Sequence, residues 1–233
     1  MIEMTKQLNI TGTHRQKGVG LIDVMIAVVI FSIGLLGLAA LQTVSKQSNY
    51  EGIQRSTAAM LASDMMERMR MNSLTTYVSG STISALSYYV ASGTVTLPSD
   101  VNYTPPPSLP SIPSPNCADN PSPPCTFEQL AAWDKYEFQQ MLFGVNEAAG
   151  GNDVGGLLNP VACISTGSSI SGGPGRYTVT IVWRGQTKLE NQSGNDCGEG
   201  SGLYDDANTD DFAYRRILEV KSFMSCPDPG GCA

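Results

Sequence analysis

The chain has 233 residues, a net charge of −7 and an isoelectric point of about 4.6. This acidic balance argues against an extended nucleic-acid-binding surface, so we expect no nucleic-acid partner, and the length allows one ordinary domain plus an anchoring segment. The hydrophobic residues are concentrated in one place, since residues 24–41 contain no charged side chain. The composition therefore predicts a segment that is hydrophobic enough to cross a membrane, joined to a polar domain.

The polar segment before this apolar run is basic. It contains Lys6, Arg15 and Lys17 against Glu3, which gives a net charge of +2. An ordinary secretory signal would be cleaved after small residues beyond its apolar region, here at 38–40. The alternative is that the basic leader is removed first and the apolar run stays in the mature protein.

The junction between the leader and the apolar run favours the second alternative. Residues 17–23, KGVGLID, resemble the class III signal of type IV prepilins, in which a basic leader ends in glycine and an acid occupies the fifth mature position. That family usually has Phe or Met at the first mature position and Glu at the fifth. The resemblance implies a leader of residues 1–18, cleavage between Gly18 and Val19, N-methylation of Val19, and Asp23 as the fifth mature residue.

Asp23 lies close to the start of an otherwise apolar helix. A carboxylate at the centre of a membrane helix costs roughly 2.5–3.5 kcal/mol on insertion scales, less near its end, and such a group normally has a partner. Residues 24–41 offer no cation, whereas the new α-amino group at Val19 of a neighbouring subunit is suitable. The resemblance to pilins likewise implies that Asp23 is an assembly contact. The alternative is an acid at the headgroup level of a single-pass anchor.

The apolar run is predicted to form the first half of one long helix. Residues 19–41 would span roughly 35 Å as a helix, enough to cross a bilayer core. An apolar stripe at helical spacing continues beyond them, and Glu51–Arg55 and Asp64–Arg68 are expected i,i+4 ion pairs. We therefore predict a helix over about 19–71, with a transmembrane or filament-core half at 19–41 and an amphipathic half at 42–72. The stripe comprises Tyr50, Ile53, Thr57, Leu61, Met65 and Met69.

The remaining residues, 73–233, are predicted to form a globular head. Its Pro-rich loop at 104–125 holds nine of the chain's 14 prolines and is unsuited to a sheet interior. A helix is expected to begin at Thr126, which forms a capping-box pattern with Gln129. Apolar residues alternate in one segment and less cleanly in a second, which predicts an antiparallel sheet lying against the amphipathic half of the long helix. These strands are residues 177–184 and 214–223, and a glycine-rich loop is expected over 144–175.

Six cysteines, all after residue 116, indicate an oxidising compartment with up to three disulfides. A zinc site is disfavoured because no CxxC motif occurs and the one histidine, His14, precedes the anchor. Six cysteines allow fifteen connectivities, and loop geometry favours local pairing only weakly. The expected pairs are Cys117–Cys125, Cys163–Cys197 and Cys226–Cys232.

Several segments of the head and of the helix end resemble the minor-pilin group called PilV. They are residues 63–70 (SDMMERMR), 125–134 (CTFEQLAAWD), 177–183 (YTVTIVW) and the closing strand into Cys226. The resemblance implies the α+β type IV pilin fold, in which a helical spine carries an antiparallel sheet. It also implies a minor pilin that is processed by prepilin peptidase. Such a protein would initiate the assembly of type IV pili or lie at their tip, together with other minor pilins, the major pilin and a large tip adhesin.

The implied location is the inner membrane, with a single span and a periplasmic head, and the pilus fibre or cell surface after assembly. Two alternatives remain open. A type II secretion pseudopilin would share the signal and the spine. A non-polymerising, single-pass envelope binding protein would keep its leader or be cleaved after position 40.

An enzymatic function is not expected. The sole histidine would leave with the leader, and the chain has no GxSxG motif and no P-loop, so we expect neither a catalytic residue nor a cofactor. The spacing of Asp206, Asn208 and Asp210 resembles the start of a calcium loop, but the sixth position is Asp211 and the twelfth is Ile217, which rules out an EF-hand. These three residues stay a weak calcium candidate, and no other metal site is expected.

Overall fold

The computed structural model describes residues 18, 20–73, 75–78, 81–90, 94–97, 111–119, 121–145, 147–150, 152–153, 155–167, 173–189, 194–205 and 212–225. Its elements, in chain order, are α1 (Leu21–Met71), β1 (Thr75–Val78), β2 (Ser81–Ser84), a 3₁₀ turn (Ala85–Tyr88), β3 (Thr94–Leu97), a second 3₁₀ turn (Cys117–Asp119), α2 (Phe127–Phe143), β4 (Ala148–Ala149), β5 (Asn152–Asp153), β6 (Val161–Thr166), β7 (Gly175–Arg184) and β8 (Arg215–Met224). The expected α+β class, a long helix followed by an antiparallel sheet, is confirmed.

The long helix α1 has 51 residues, Leu21–Met71, and continues without a break through its glycines. It begins two residues later than predicted, because the carbonyl of Gly20 accepts the first helical bonds, from the N–H groups of Asp23 at 3.0 Å and Val24 at 3.5 Å. The chain divides into two compact units, Met1–Gln47 and Ser48–Ala233, and α1 contributes to both. The domain bounds expected from the sequence stay predictions.

The main sheet is antiparallel, with the strand order β3-β6-β7-β8. The two strands expected from alternation pair along their whole length, from Gly175 opposite Met224 to Arg184 opposite Arg215. The expected loop over 144–175 is wrong at β6, which lies inside the sheet next to β7. Residues 161–164 of β6 are buried in succession, so the strand does not alternate between apolar and polar residues, and periodicity could not identify it.

The core lies between the sheet and the second part of α1. Alternate residues of β7, among them Tyr177, Val179 and Ile181, pack with the helix in one buried cluster. The buried face of α1 differs from the expected stripe at its start, because Ile53 is 61% exposed whereas Gln54 is buried. The buried residues of α1 are Gln54, Ala58, Leu61, Ala62, Met65, Met66 and Met69.

Gln54 is buried because its amide satisfies backbone groups of the head. Its Nε2 donates to the carbonyl of Gly156 at 3.3 Å, and its Oε1 accepts from the N–H of Leu158 at 3.1 Å. A hydrophobicity pattern places glutamine outside, yet an amide with both functions bonded can be buried without leaving unsatisfied groups. At this position the buried face of α1 therefore lies one residue away from the predicted one, at Gln54 instead of Ile53.

The second helix, α2, is fixed at both ends. Thr126 and Gln129 form the predicted capping box, which is confirmed, since each side chain accepts from the other's backbone N–H. The helix ends at Gly144, which has a φ of 68°. A Cβ at this glycine would lie 2.0 Å from the backbone nitrogen of Gly156. Both the left-handed backbone and the close approach of the following loop therefore require glycine at this position.

Two disulfides join the described cysteines, in the local pairing expected from the sequence. Cys117 bonds to Cys125 inside the described part of the Pro-rich loop, and Cys163 bonds to Cys197. The second disulfide covers the face of the sheet that points away from α1. It belongs to a small separate core of buried residues, which are Val161, Cys163, Val182, Cys197 and Tyr204.

Candidate functional site

The N-terminal end of α1 carries the residues expected to direct processing and assembly. Gly20 precedes the helix, and its N–H donates to Oδ2 of Asp23 at 3.2 Å. The carboxylate therefore bonds to the backbone of its own helix start, where the helix dipole favours a negative charge. Asp23 is exposed and retains acceptor capacity on its second oxygen. Its contact with a neighbouring subunit stays a prediction.

Gly18 is exposed, and a Cβ built on it would meet no atom within 4 Å. The described part of the chain thus gives no steric reason for a glycine at this position. If glycine is required there, the requirement must come from a molecule that recognises the segment. The expected cleavage partner, Val19, lies outside the described residues.

The apolar part of α1 has an exposed surface that is hydrophobic on all sides. Residues 21–46 are exposed throughout, and α1 contains the one stretch in the described residues that is long and apolar enough to cross a membrane. Ser32 donates its hydroxyl to the carbonyl of Val28 at 2.7 Å, and Thr43 donates to that of Ala40 at 2.7 Å. These hydroxyls are satisfied inside the helix, so the surface is suited to lipid or to apolar neighbours.

A cluster of charged and polar side chains joins the end of α1 to α2. Arg68 donates from Nε to Asp64 at 2.8 Å, which is the predicted i,i+4 pair. Its Nη1 also donates to two carboxylates of α2, those of Asp134 at 3.3 Å and Glu137 at 2.5 Å. The interhelical cluster comprises Asp64, Arg68, Asn72, Tyr89, Asp134 and Glu137.

Asp134 is the buried centre of this interhelical cluster. The hydroxyl of Tyr89 donates to its Oδ2, and Asn72 donates its side-chain N–H to the tyrosine oxygen at 3.1 Å. On α2, Asp134 lies on the same face as the buried residues Ala131 and Phe138. Only the tertiary structure provides its partners, which lie 66 and 45 positions away in the chain.

Burial and hydrogen bonds together shift the pKa values of the interhelical cluster. It raises the pKa of Asp134 above its usual value, although hydrogen bonds from Tyr89 and Arg68 act in the opposite direction. Burial, followed by the bond to Asp134, also raises the pKa of Tyr89. Burial acts to lower the pKa of Arg68, but its bonds to Glu137 and Asp64 outweigh this effect and raise it. The guanidinium therefore stays charged, and the cluster holds the two helices together.

A second ion pair, between Glu51 and Arg216, joins α1 to the start of strand β8. Glu51 accepts from Nε and Nη2 of Arg216, both at 3.0 Å, and from the N–H of Gln186 at 2.8 Å. Burial acts to raise the pKa of Glu51, but these bonds hold it below its usual value. The expected pairing of Glu51 with Arg55 is therefore wrong, because Arg216 offers a bidentate partner that is shielded from solvent.

Several predicted residues cannot be placed. The leader up to residue 17, Val19, the third cysteine pair Cys226–Cys232 and the weak calcium candidates Asp206, Asn208 and Asp210 all lie outside the described residues. Among the residues that are described, no group of three histidine, cysteine or acidic side chains is arranged to hold a metal ion.

Comparison with protein families identifies two parts of the chain. Residues 13–39 match the model of the prokaryotic N-terminal methylation motif, and residues 40–136 match the model named Type IV pilin Tt1218. Residues 40–136 are therefore similar to a type IV pilin, and residues 13–39 to a prepilin methylation motif. The methylation-motif match includes Gly18, Val19, Asp23 and α1 up to residue 39, and the pilin match extends from α1 into α2. Neither the curated proteins nor the solved structures gave a match.

These matches support a pilin that prepilin peptidase processes and that assembles with other pilins. The residues that match the pilin model include every member of the interhelical cluster except Glu137. The methylation motif and the exposed apolar helix together fit a membrane-anchored pilin that later enters a pilus. The match to the pilin model ends inside α2, so the sheet strands β6 to β8 lie outside the matched residues.

Proposed function

We propose that the chain is a minor pilin of the PilV type, which prepilin peptidase cleaves after Gly18. The mature protein helps to initiate the assembly of type IV pili or forms part of their tip. The observation that carries the proposal is the helix surface at 24–41, which carries no charged side chain, is apolar on all sides and is exposed throughout. Such a large apolar surface is unfavourable in water and must be shielded from it. The membrane would shield it before assembly, and the apolar helices of other pilins would do so in the filament.

The charge at the start of the helix supports the assembly step. Cleavage after Gly18 creates an α-amino group at Val19, four positions before Asp23. The free energy of transferring a carboxylate out of water is smaller when a cation is transferred with it as a paired partner. The free acceptor capacity of Asp23 is therefore proposed to receive the α-amino group of a neighbouring subunit. N-methylation of Val19 retains the positive charge that this contact requires.

The partners follow from this assignment. Prepilin peptidase acts on the leader of residues 1–18, and other minor pilins, the major pilin and a large tip adhesin contact the mature protein. The head at 73–233 is proposed to reside in the periplasm while residues 19–41 cross the inner membrane. The disulfide Cys163–Cys197 supports this location, because disulfides persist in oxidising compartments. The fold serves a structural role, and no reaction is assigned to it.

A deletion of the gene distinguishes a pilus from a secretion function. We expect the deletion strain to lose surface pili and twitching while type II protein secretion continues unchanged. The reverse result, normal pili with impaired secretion, would instead identify a pseudopilin. Unchanged pili and unchanged secretion would favour the non-polymerising envelope protein.

The cleavage site is tested by complementing that strain with Gly18→Ala. We expect the unprocessed form to accumulate in the membrane and piliation to stay lost, because the peptidase must fit the residue before the scissile bond. The matched control is Gly20→Ala, the same change two positions later, where an added Cβ would meet only ordinary contacts at 3.6 Å and 3.8 Å. Normal processing of the Gly18 variant, measured by immunoblotting, would contradict the proposal.

A further inference from the structure

A cleft of about 260 Å³ opens between α1 and the ends of β7 and β8. Within the register of the sheet, Trp183 and Arg216 are direct cross-strand neighbours, so they point to the same face. The helix contributes a glycine to the wall, Gly52, and a Cβ built on it would meet no atom within 4 Å. The other residues of the wall include Glu51, Arg55 and Leu189.

Two side-chain donors on this wall have no partner in the described part of the chain. The indole Nε1 of Trp183 is buried, with the residue only 2% exposed, and donates to no acceptor. A buried N–H without an acceptor is rare in native proteins and calls for an explanation. The guanidinium of Arg55 is also unpaired among the described residues, because Glu51 bonds to Arg216 instead.

The remaining polar groups of the wall are already bonded. Arg216 donates to Glu51, and also to the carbonyl and the hydroxyl of Thr187 at 2.8 Å and 2.9 Å. Glu51 accepts from Arg216 and from the N–H of Gln186. The cleft thus offers hydrogen-bond donors and no free carboxylate. Its wall carries two guanidinium groups and one carboxylate, a net charge of +1 in a chain of net charge −7.

We propose that this cleft receives the carboxylate of an aspartate or glutamate side chain from a neighbouring pilin-type subunit. Arg55 and the indole N–H of Trp183 supply donors for the two oxygens of one carboxylate. The net charge of +1 matches a single negative charge, and the carboxylate of Glu51 disfavours a phosphate with its higher charge. Leu189, which is 43% exposed, offers an apolar contact for the methylene groups of the incoming side chain. The proposed occupant rests on the proposed function, since it assumes that pilin subunits are neighbours.

The test measures binding of a small probe to the mature, full-length protein in detergent micelles. N-acetyl-glutamate amide is titrated while the two indole N–H resonances are followed by NMR. We expect a saturable downfield shift of the Trp183 resonance, and no shift for Trp133, which is not part of the wall. The neutral analogue N-acetyl-glutamine amide should leave both resonances in place.

The variant Arg55→Gln provides the second arm. Arg55 is exposed and unpaired in the described part, so the variant should fold normally while binding the probe at least tenfold more weakly. The proposal is overturned if Trp183 shows no saturable shift, if the neutral analogue or inorganic phosphate binds equally well, or if Arg55→Gln binds like the native protein. None of these failures affects the proposed function, which is scored by piliation.

Discussion

Replacing Asp134 with alanine is expected to lower the free energy of unfolding by about 3 kcal/mol. The change removes the buried acceptor of the Tyr89 hydroxyl and one of the carboxylates around Arg68. Both groups stay behind in a region with little access to water. Arg68 keeps its bonds to Asp64 and Glu137, which limits the loss. Thermal and urea unfolding of the two proteins would measure the difference.

The matched control for this prediction is Glu137→Ala. Glu137 contacts the same guanidinium, but its side chain is 36% exposed whereas that of Asp134 is 9% exposed. A solvent-exposed ion pair contributes less than about 1 kcal/mol. We therefore expect the Glu137 variant to lose far less stability. Equal losses in the two variants would show that burial does not determine the strength of the interhelical cluster.

The pH dependence of stability follows from the same carboxyl group. Burial raises the pKa of Asp134 above its usual value of 3.8, so the folded state holds this proton more tightly than the unfolded state. Its contribution to the unfolding free energy therefore falls as the pH rises from about 3.8 through the folded pKa. Asp134→Asn should remove this slope, which urea unfolding at several pH values would detect. An unchanged slope in the variant would assign the dependence to other groups.

Removing the disulfide Cys163–Cys197 by alanine substitution of both residues should cost about 4 kcal/mol. The bond closes a loop with a sequence separation of 34 residues, and the entropy that it removes from the unfolded chain grows with loop length. Both cysteines are also buried, at 3% and 5% exposure, so the substitution leaves space in the smaller core. The thermal midpoint under oxidising conditions would measure this loss.

The other described disulfide is the control. Cys117–Cys125 has a sequence separation of only 8, and its removal should cost about 2.5 kcal/mol. Neither cysteine is among the buried residues of the core, so little packing is lost. The expected order is therefore a larger loss for the Cys163–Cys197 variant. A larger loss for the Cys117–Cys125 variant would contradict the loop-length argument.

The sequence predicted those parts of the fold that depend on local chemistry. The capping box at Thr126 uses groups three residues apart, and in β7 the residues that pack with α1, among them Tyr177, Val179 and Ile181, are separated in the sequence by single residues of the other face. The local disulfide pairs also agree with the structure. The N-terminal signal depends on residues next to one another, and residues 13–39 match the methylation motif. Each of these features is encoded within a short window.

The features that the sequence could not predict depend on distant contacts. Asp134, Gln54 and Arg216 each obtain their partners from segments more than 40 residues away. A local pattern therefore shows Asp134 as an anomaly and Gln54 as a surface residue. Strand β6 was missed for a related reason, because its successive buried residues match neither the two-residue period of a half-buried strand nor the period of about 3.6 residues of a helix. Such sites are identified only when the fold brings the partners together.

The most direct test of the central claim is the N-terminal residue of the native protein. Intact mass and N-terminal sequencing of protein isolated from the membrane or from filaments would identify it. We predict a chain that begins at Val19, with a methyl group on its α-amino nitrogen. A native chain that begins at Met1, or at Leu41 after secretory cleavage, would contradict the assignment as a processed pilin.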